Sequence, residues 1–137
     1  MTGPRSLPAE AALEPPSLPD DPVLNPEVVV ALASLAAGPH VALLDQLATL
    51  FREDAPVYLE AMADALASAD TASLTRSAHA MAGLSANLGA QGLWRLCLEL
   101  ETLADSGRRD ECAAVLGLVA VQMDRVATAV GKWVTRP

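Results

Sequence analysis

The chain has 137 residues, enough for one domain, and is 52% hydrophobic and 19% charged with little aromatic content. Its formal net charge is −8 and its pI lies near 4.5, which makes nucleic acid and anionic membranes poor partners. Two cysteines, Cys97 and Cys112, are too few for a disulfide framework and lack metal-ligand spacing. Both fall at apolar helix positions and are expected as buried free thiols in a reducing, cytoplasmic compartment.

Residues 1–24 hold six prolines, Pro4, Pro8, Pro15, Pro16, Pro19 and Pro22. They forbid a continuous helix, and no alternation suggests a strand, so a disordered tail or linker is expected. The same prolines, with Glu10 and Glu14 among them, argue against a signal peptide. No apolar run reaches the roughly 18 residues that span a bilayer, so no membrane insertion is expected.

Asn25-Pro26-Glu27 is a helix start: a capping residue, a proline at the first helical position and an acid at the positive end of the dipole. The helix runs to Ala36 and stops at Gly38-Pro39. A long helix follows from about His40 to Ser68, with Leu43, Leu47, Leu50, Phe51, Tyr58, Met62 and Leu66 at three- and four-residue steps. Pro56 is expected to kink it rather than split it, because the apolar stripe continues in phase. His40 is read as a surface or capping residue.

Asp70-Thr71 caps a third helix that Gly89 ends. A fourth runs from about Ala90 to Ser106, striped by Leu93, Leu96, Cys97, Leu100 and Leu103, and Gly107 closes it. A fifth runs from Arg108 to about Gly131, with Val115, Val119, Met123, Val126 and Val130 inside. Short loops between long helices force antiparallel neighbours. The expected fold is therefore all-α: an up-down-up-down four-helix bundle over residues 25–137, with the short first helix packed on one end.

The third helix carries the unusual chemistry. At about 100° per residue, Leu74, Ala78, Met81, Ser85 and Leu88 share a core-facing stripe. His79 lies on the outer side, among Ala72, Arg76, Ala82, Gly83 and Ala86. An ordinary solvated face carries Lys, Glu and Gln. Glycine inside a helix costs about 1 kcal/mol relative to Ala, and Gly83 sits one turn after His79. Either it opens room beside the imidazole for a partner or a phosphoryl group, or it reflects an Ala- and Gly-rich composition.

Ala78-His79-Ala80-Met81-Ala82-Gly83 followed by Gly89-Ala90 resembles the signature of histidine-containing phosphotransfer (HPt) domains, which reads Ala-His-x-Leu-Lys-Gly and then Gly-Ala. Leu50 to Pro56 and Leu96 to Glu101 resemble the family's flanking helical segments, and the resemblance covers about residues 25–132. The family's lysine, three residues after the histidine, is Ala82 here. The resemblance implies the same bundle. It also implies that His79 accepts a phosphoryl group from one receiver-domain aspartate and passes it to another in a two-component phosphorelay.

The residues are consistent with that chemistry. A neutral imidazole is a nucleophile near pH 7, and histidine forms covalent intermediates. The sequence has no Gly-rich phosphate loop, so the chain is read as a phosphoryl carrier and not an enzyme. It needs no cofactor of its own, since Mg²⁺ is expected on the partner receiver domain. The expected partners are a response-regulator receiver domain and a hybrid histidine kinase, with the chain itself a monomer. With Ala82 uncharged, Arg76 is the candidate cation for the phosphoryl oxygens, or else a solvated helix charge. Asn87 and Gln91 are candidate neutral donors. Ala72, Ala82, Gly83 and Ala86 are candidates for a docking surface around His79, or else reflect composition. The alternative function is an adaptor that docks a receiver or kinase without carrying phosphate.

Overall fold

The computed structural model describes residues 17–36 and 42–133. Residues 1–16, residues 37–41 with the Gly38-Pro39 stop signal and the expected surface residue His40, and residues 134–137 fall outside them. Five helices follow in order: α1 Pro26–Ala36, α2 Leu43–Ala67, α3 Thr71–Leu88, α4 Gln91–Asp105 and α5 Arg109–Gly131. Among the described residues there is no strand.

The last four helices close a ring. Helix α2 packs on α3 and α5, and α4 packs on α3 and α5, while α1 lies against α2. This is the expected antiparallel bundle with its short N-terminal helix. Its core holds Phe51, Met62, Met81, Leu88, Leu93, Leu100, Val115, Val119, Val126 and Val130, all inaccessible to solvent or nearly so. Each such side chain contributes about 1.5–3 kcal/mol through burial. Helix α2 is continuous through Pro56, which lies on its exposed side. A missing amide donor there leaves a carbonyl facing water.

All three turns of the bundle use one device. A left-handed residue follows the helix, and the two amides at the turn fold back onto its last carbonyls. Ala69 (φ 58°), Gly89 (φ 75°) and Gly107 (φ 71°) hold the left-handed position. The amide after each reaches back to Ala65 (2.8 Å), Ser85 (2.9 Å) and Leu103 (3.0 Å) respectively. The sequence marks the two glycines but not Ala69, whose side chain gives no such signal.

Gly89 is also where α1 is anchored. The Asn25 amide donates to the Gly89 carbonyl at 2.7 Å, and the Asn25 side chain caps α1 by accepting from the Glu27 amide at 2.8 Å. A Cβ on Gly89 would lie 2.7 Å from the Cβ of Val28. Gly89→Ala is therefore expected to destabilise the chain by about 1–3 kcal/mol. A urea midpoint measures it. Adding Val28→Ala should recover the steric part and leave the left-handed strain; no recovery would place the whole cost in the backbone.

The end of the proline-rich stretch packs on the bundle. Val23 and Leu24 rest against the core, and Asp21 accepts two hydrogen bonds from Arg95 on α4, at 2.5 and 2.7 Å. Pro19 covers Gly92, where a Cβ would sit 2.8 Å from two ring carbons. Proline spacing forbids a helix here, but a non-helical strap along α4 satisfies the same restriction. Helix α5 also departs from expectation. By length and composition it is apolar enough to cross a membrane. Here one of its faces, Cys112 to Val130, fills the core of the bundle.

Candidate functional site

Asp70 fixes the start of α3. Its carboxylate accepts from the Ser73 amide (3.1 Å) and hydroxyl (2.8 Å), and those bonds hold its carboxyl below the ordinary range. Leu74, Ala78, Met81, Ser85 and Leu88 are buried as their spacing requires. The one polar member, Ser85, donates its hydroxyl to the Met81 carbonyl at 2.7 Å.

That register turns His79 outward. Its side chain is 78% exposed, and Nδ1 lies 3.5 Å from Oε2 of Glu101, across the seam between α3 and α4. This is ion-pair distance and longer than a tight hydrogen bond. Glu101 is largely covered, at 19% exposure. Its Oε2 is itself buried and has no hydrogen-bond partner. A buried acceptor without a donor is costly, so a proton on the facing imidazole nitrogen is favoured. With Nδ1 turned to the seam, the rest of a ring that is 78% exposed is left to the outer face. A second buried and unpartnered oxygen, Oγ1 of Thr75, lies one turn before His79 on α3.

Glu101 was not singled out from the sequence, yet a signal existed. The α3–α4 turn centres on Gly89-Ala90, and residues about equidistant from an antiparallel turn face each other. Counting outward in both directions from the turn pairs His79 with the neighbourhood of Glu101.

The other candidates are distributed differently from expectation. Arg76 is exposed, but its Nη2 donates to the Ser73 hydroxyl at 3.0 Å. It completes the Asp70 cap one turn away and does not face the imidazole. Ala82 was expected on the outer face and is instead buried, at 3% exposure. On the wheel it falls between the core stripe and His79, on the flank that α4 covers. Ala72, Gly83 and Ala86 are exposed as expected. A Cβ on Gly83 would meet nothing within 4 Å, so no packing inside the chain demands a glycine there. Asn87 and Gln91 are exposed and lie two or more turns along from His79.

Three other arginines of the bundle are engaged elsewhere. Arg95 pairs with Asp21 and Arg108 with Glu111, while Arg109 donates to the Leu66 and Ala67 carbonyls. The charged side chain in contact with His79 is an acid, Glu101. Among the described residues no group of three or more His, Cys, Asp or Glu is placed to hold a metal.

Both cysteines are buried. Cys97 lies one turn before Glu101 on α4, and its thiol is pushed up to about 12, first by burial and then by the Glu101 charge. In the unfolded chain the thiol ionises at about 8.5, so above that pH the unfolded state has lost a proton the native state keeps. Stability contributed by Cys97 is present below about pH 8.5 and falls as pH rises toward 12. Urea midpoints of the parent and Cys97→Ala should converge between pH 8 and 10.5. Midpoints that stay parallel would contradict the assignment.

An exposed imidazole, with Nδ1 facing a carboxylate across the seam and open helix surface one turn on, can act as a nucleophile toward a group presented from outside. Comparison with known proteins bears on which group. The family model for the Hpt domain matches residues 46–129. Among solved structures, the chain is similar to histidine-containing phosphotransfer protein B (HptB) from Pseudomonas aeruginosa PAO1, with a TM-score of 0.69 and 26% identity, over 82% of this chain and 95% of that one. It shares its fold with the histidine-containing phosphotransfer protein ZmHP2 from maize, with a TM-score of 0.66 and 20% identity, over 82% and 88% of the two chains. No curated protein sequence matches it.

Proposed function

The chain belongs to the Hpt domain family, the phosphotransfer proteins of two-component phosphorelays, and from that premise we propose that His79 is its phosphoryl-accepting residue. Members of the family are phosphocarriers without a kinase ATP site, and they work with receiver domains and kinases. The observation that carries the reading is the exposed imidazole whose Nδ1 faces a buried carboxylate 3.5 Å away.

The step follows from that polarity. With the proton on Nδ1, the Nε2 lone pair attacks the phosphorus of an aspartyl phosphate on a receiver. The N–P bond forms as the P–O bond breaks, and that bond's electron pair stays on the receiver's carboxylate. The imidazole becomes a phosphoimidazolium, and Glu101 balances its charge from the Nδ1 side. Return to a second receiver reverses the step: the N–P electrons go back to the ring and neutral imidazole leaves. Mg²⁺ bound by the receiver would screen the transferring group. Exposed Ala72, Gly83 and Ala86 leave room for the receiver's surface without burying unpaired charge.

The test is to incubate the protein with a labelled phospho-receiver and Mg²⁺ and look for acid-labile, base-stable label on the chain. Stable binding without label would favour the adaptor reading. Within this account Glu101 positions the imidazole. Removing the carboxylate that faces the phosphoimidazolium, a charge pair worth about 1 kcal/mol when half open to water, predicts that Glu101→Ala slows loading about fivefold. It should also mix the two His79 ring tautomers in ¹⁵N spectra, which a purely structural role would not do. Arg76→Ala should change loading less than about fivefold, as for an exposed charge pair. A larger loss would return Arg76 to the phosphoryl site.

A further inference from the structure

The ring order of the bundle places α2 and α5 on the side opposite the α3–α4 seam that holds His79. There the two helices leave an open groove of about 680 Å³, walled by Leu59, Leu66, Ala113, Leu116, Gly117 and Ala120. Between Cys112 and Met123, α5 has no charged residue, although Ala113, Ala114, Gly117 and Val121 in that span are exposed. A surface helix ordinarily turns a polar face to water. Membrane insertion does not explain the composition, because Val115, Val119 and Val126 of the same helix are committed to the core.

The rim of the groove is acidic. Asp110 lies in its wall. Glu60 and Asp64 on α2 are exposed, each next in sequence to a wall residue, and Asp124 is exposed one turn beyond Ala120. The cation at this site, Arg109, spends its guanidinium on the Leu66 and Ala67 carbonyls. A second copy of a chain carrying −8 would bring like charge to this rim. We propose that the α2–α5 groove is a second docking site, for an amphipathic helix of a partner protein whose apolar stripe is flanked by Lys or Arg. Small residues on α5 let a helix backbone approach closely, and the flanking cations meet Glu60, Asp64, Asp110 and Asp124. Because the site faces away from His79, the partner can stay bound while the other side is occupied.

The test uses the full chain and a synthetic 18-residue helical peptide with a Leu/Ala stripe and Lys flanks, beside its Lys→Glu counterpart. The Lys peptide is expected to bind saturably by fluorescence anisotropy and to shift the amide resonances of Leu59, Ala63, Ala113 and Gly117. Gly117→Lys fits without a clash, since a Cβ there meets nothing within 4 Å. It should weaken binding about tenfold or more while leaving the unbound spectrum otherwise intact. Equal binding of the Glu peptide, indifference to Gly117→Lys, or shifts scattered over other acidic surfaces would overturn the proposal. So would a dimer in sedimentation that Gly117→Lys dissociates, which would make a second copy the occupant.

Discussion

His79→Gln is expected to reduce transferable label on the chain to background while leaving the fold unchanged. Glutamine's amide nitrogen has no available lone pair for attack on phosphorus, so no covalent intermediate forms. The substitution costs the fold little, because the His79 side chain is 78% exposed and its polar neighbour is the single Glu101 contact. Circular dichroism and the urea midpoint should match the parent within about 0.5 kcal/mol, as for other surface replacements. The variant should still bind a receiver, since Ala72, Gly83 and Ala86 are untouched. Label persisting on His79→Gln would move the acceptor to another residue and remove the basis of the mechanism above.

The largest loss of stability is expected at Phe51. It is the one phenylalanine in the chain and is fully buried on α2. Truncation to alanine forfeits its burial and leaves a cavity, a cost of about 3–5 kcal/mol, against a total of about 5–15 kcal/mol for an ordinary domain. The partner measurement is Val57→Ala. Val57 lies on the same helix but is 60% exposed, so it should shift the midpoint by less than about 0.5 kcal/mol. Equal effects at the two positions would mean that α2 faces the core differently from the arrangement described.

What could be read from the sequence followed periodicity and turn chemistry. The stripe from Leu74 to Leu88 emerges from spacing alone, and the same spacing throws His79 outward. Gly89 and Gly107 mark turns because only glycine adopts positive φ without strain. Features that depend on a second helix were harder to see. Ala82 sits at the margin of its helix's buried arc, and only the approach of α4 decides that it is covered. Arg76 reaches backward to the Ser73–Asp70 cap, a choice among rotamers that spacing does not express. Ala69 turns a helix end with no glycine, held there by hydrogen bonds to Ala65 and Leu66. Glu101 required pairing two helices through their turn, a step beyond reading each one separately.

The contact between Pro19 and Gly92 also constrains how this sequence can drift. With the ring carbons of Pro19 only 2.8 Å from where a Cβ at position 92 would stand, the two sites cannot vary independently. A lineage that acquires a side chain at 92 must lift the preceding segment off α4 or exchange the proline for something smaller, and the bond between Asp21 and Arg95 would be given up in the first case. Sequences related to this one should therefore show correlated changes at positions 19, 21, 92 and 95.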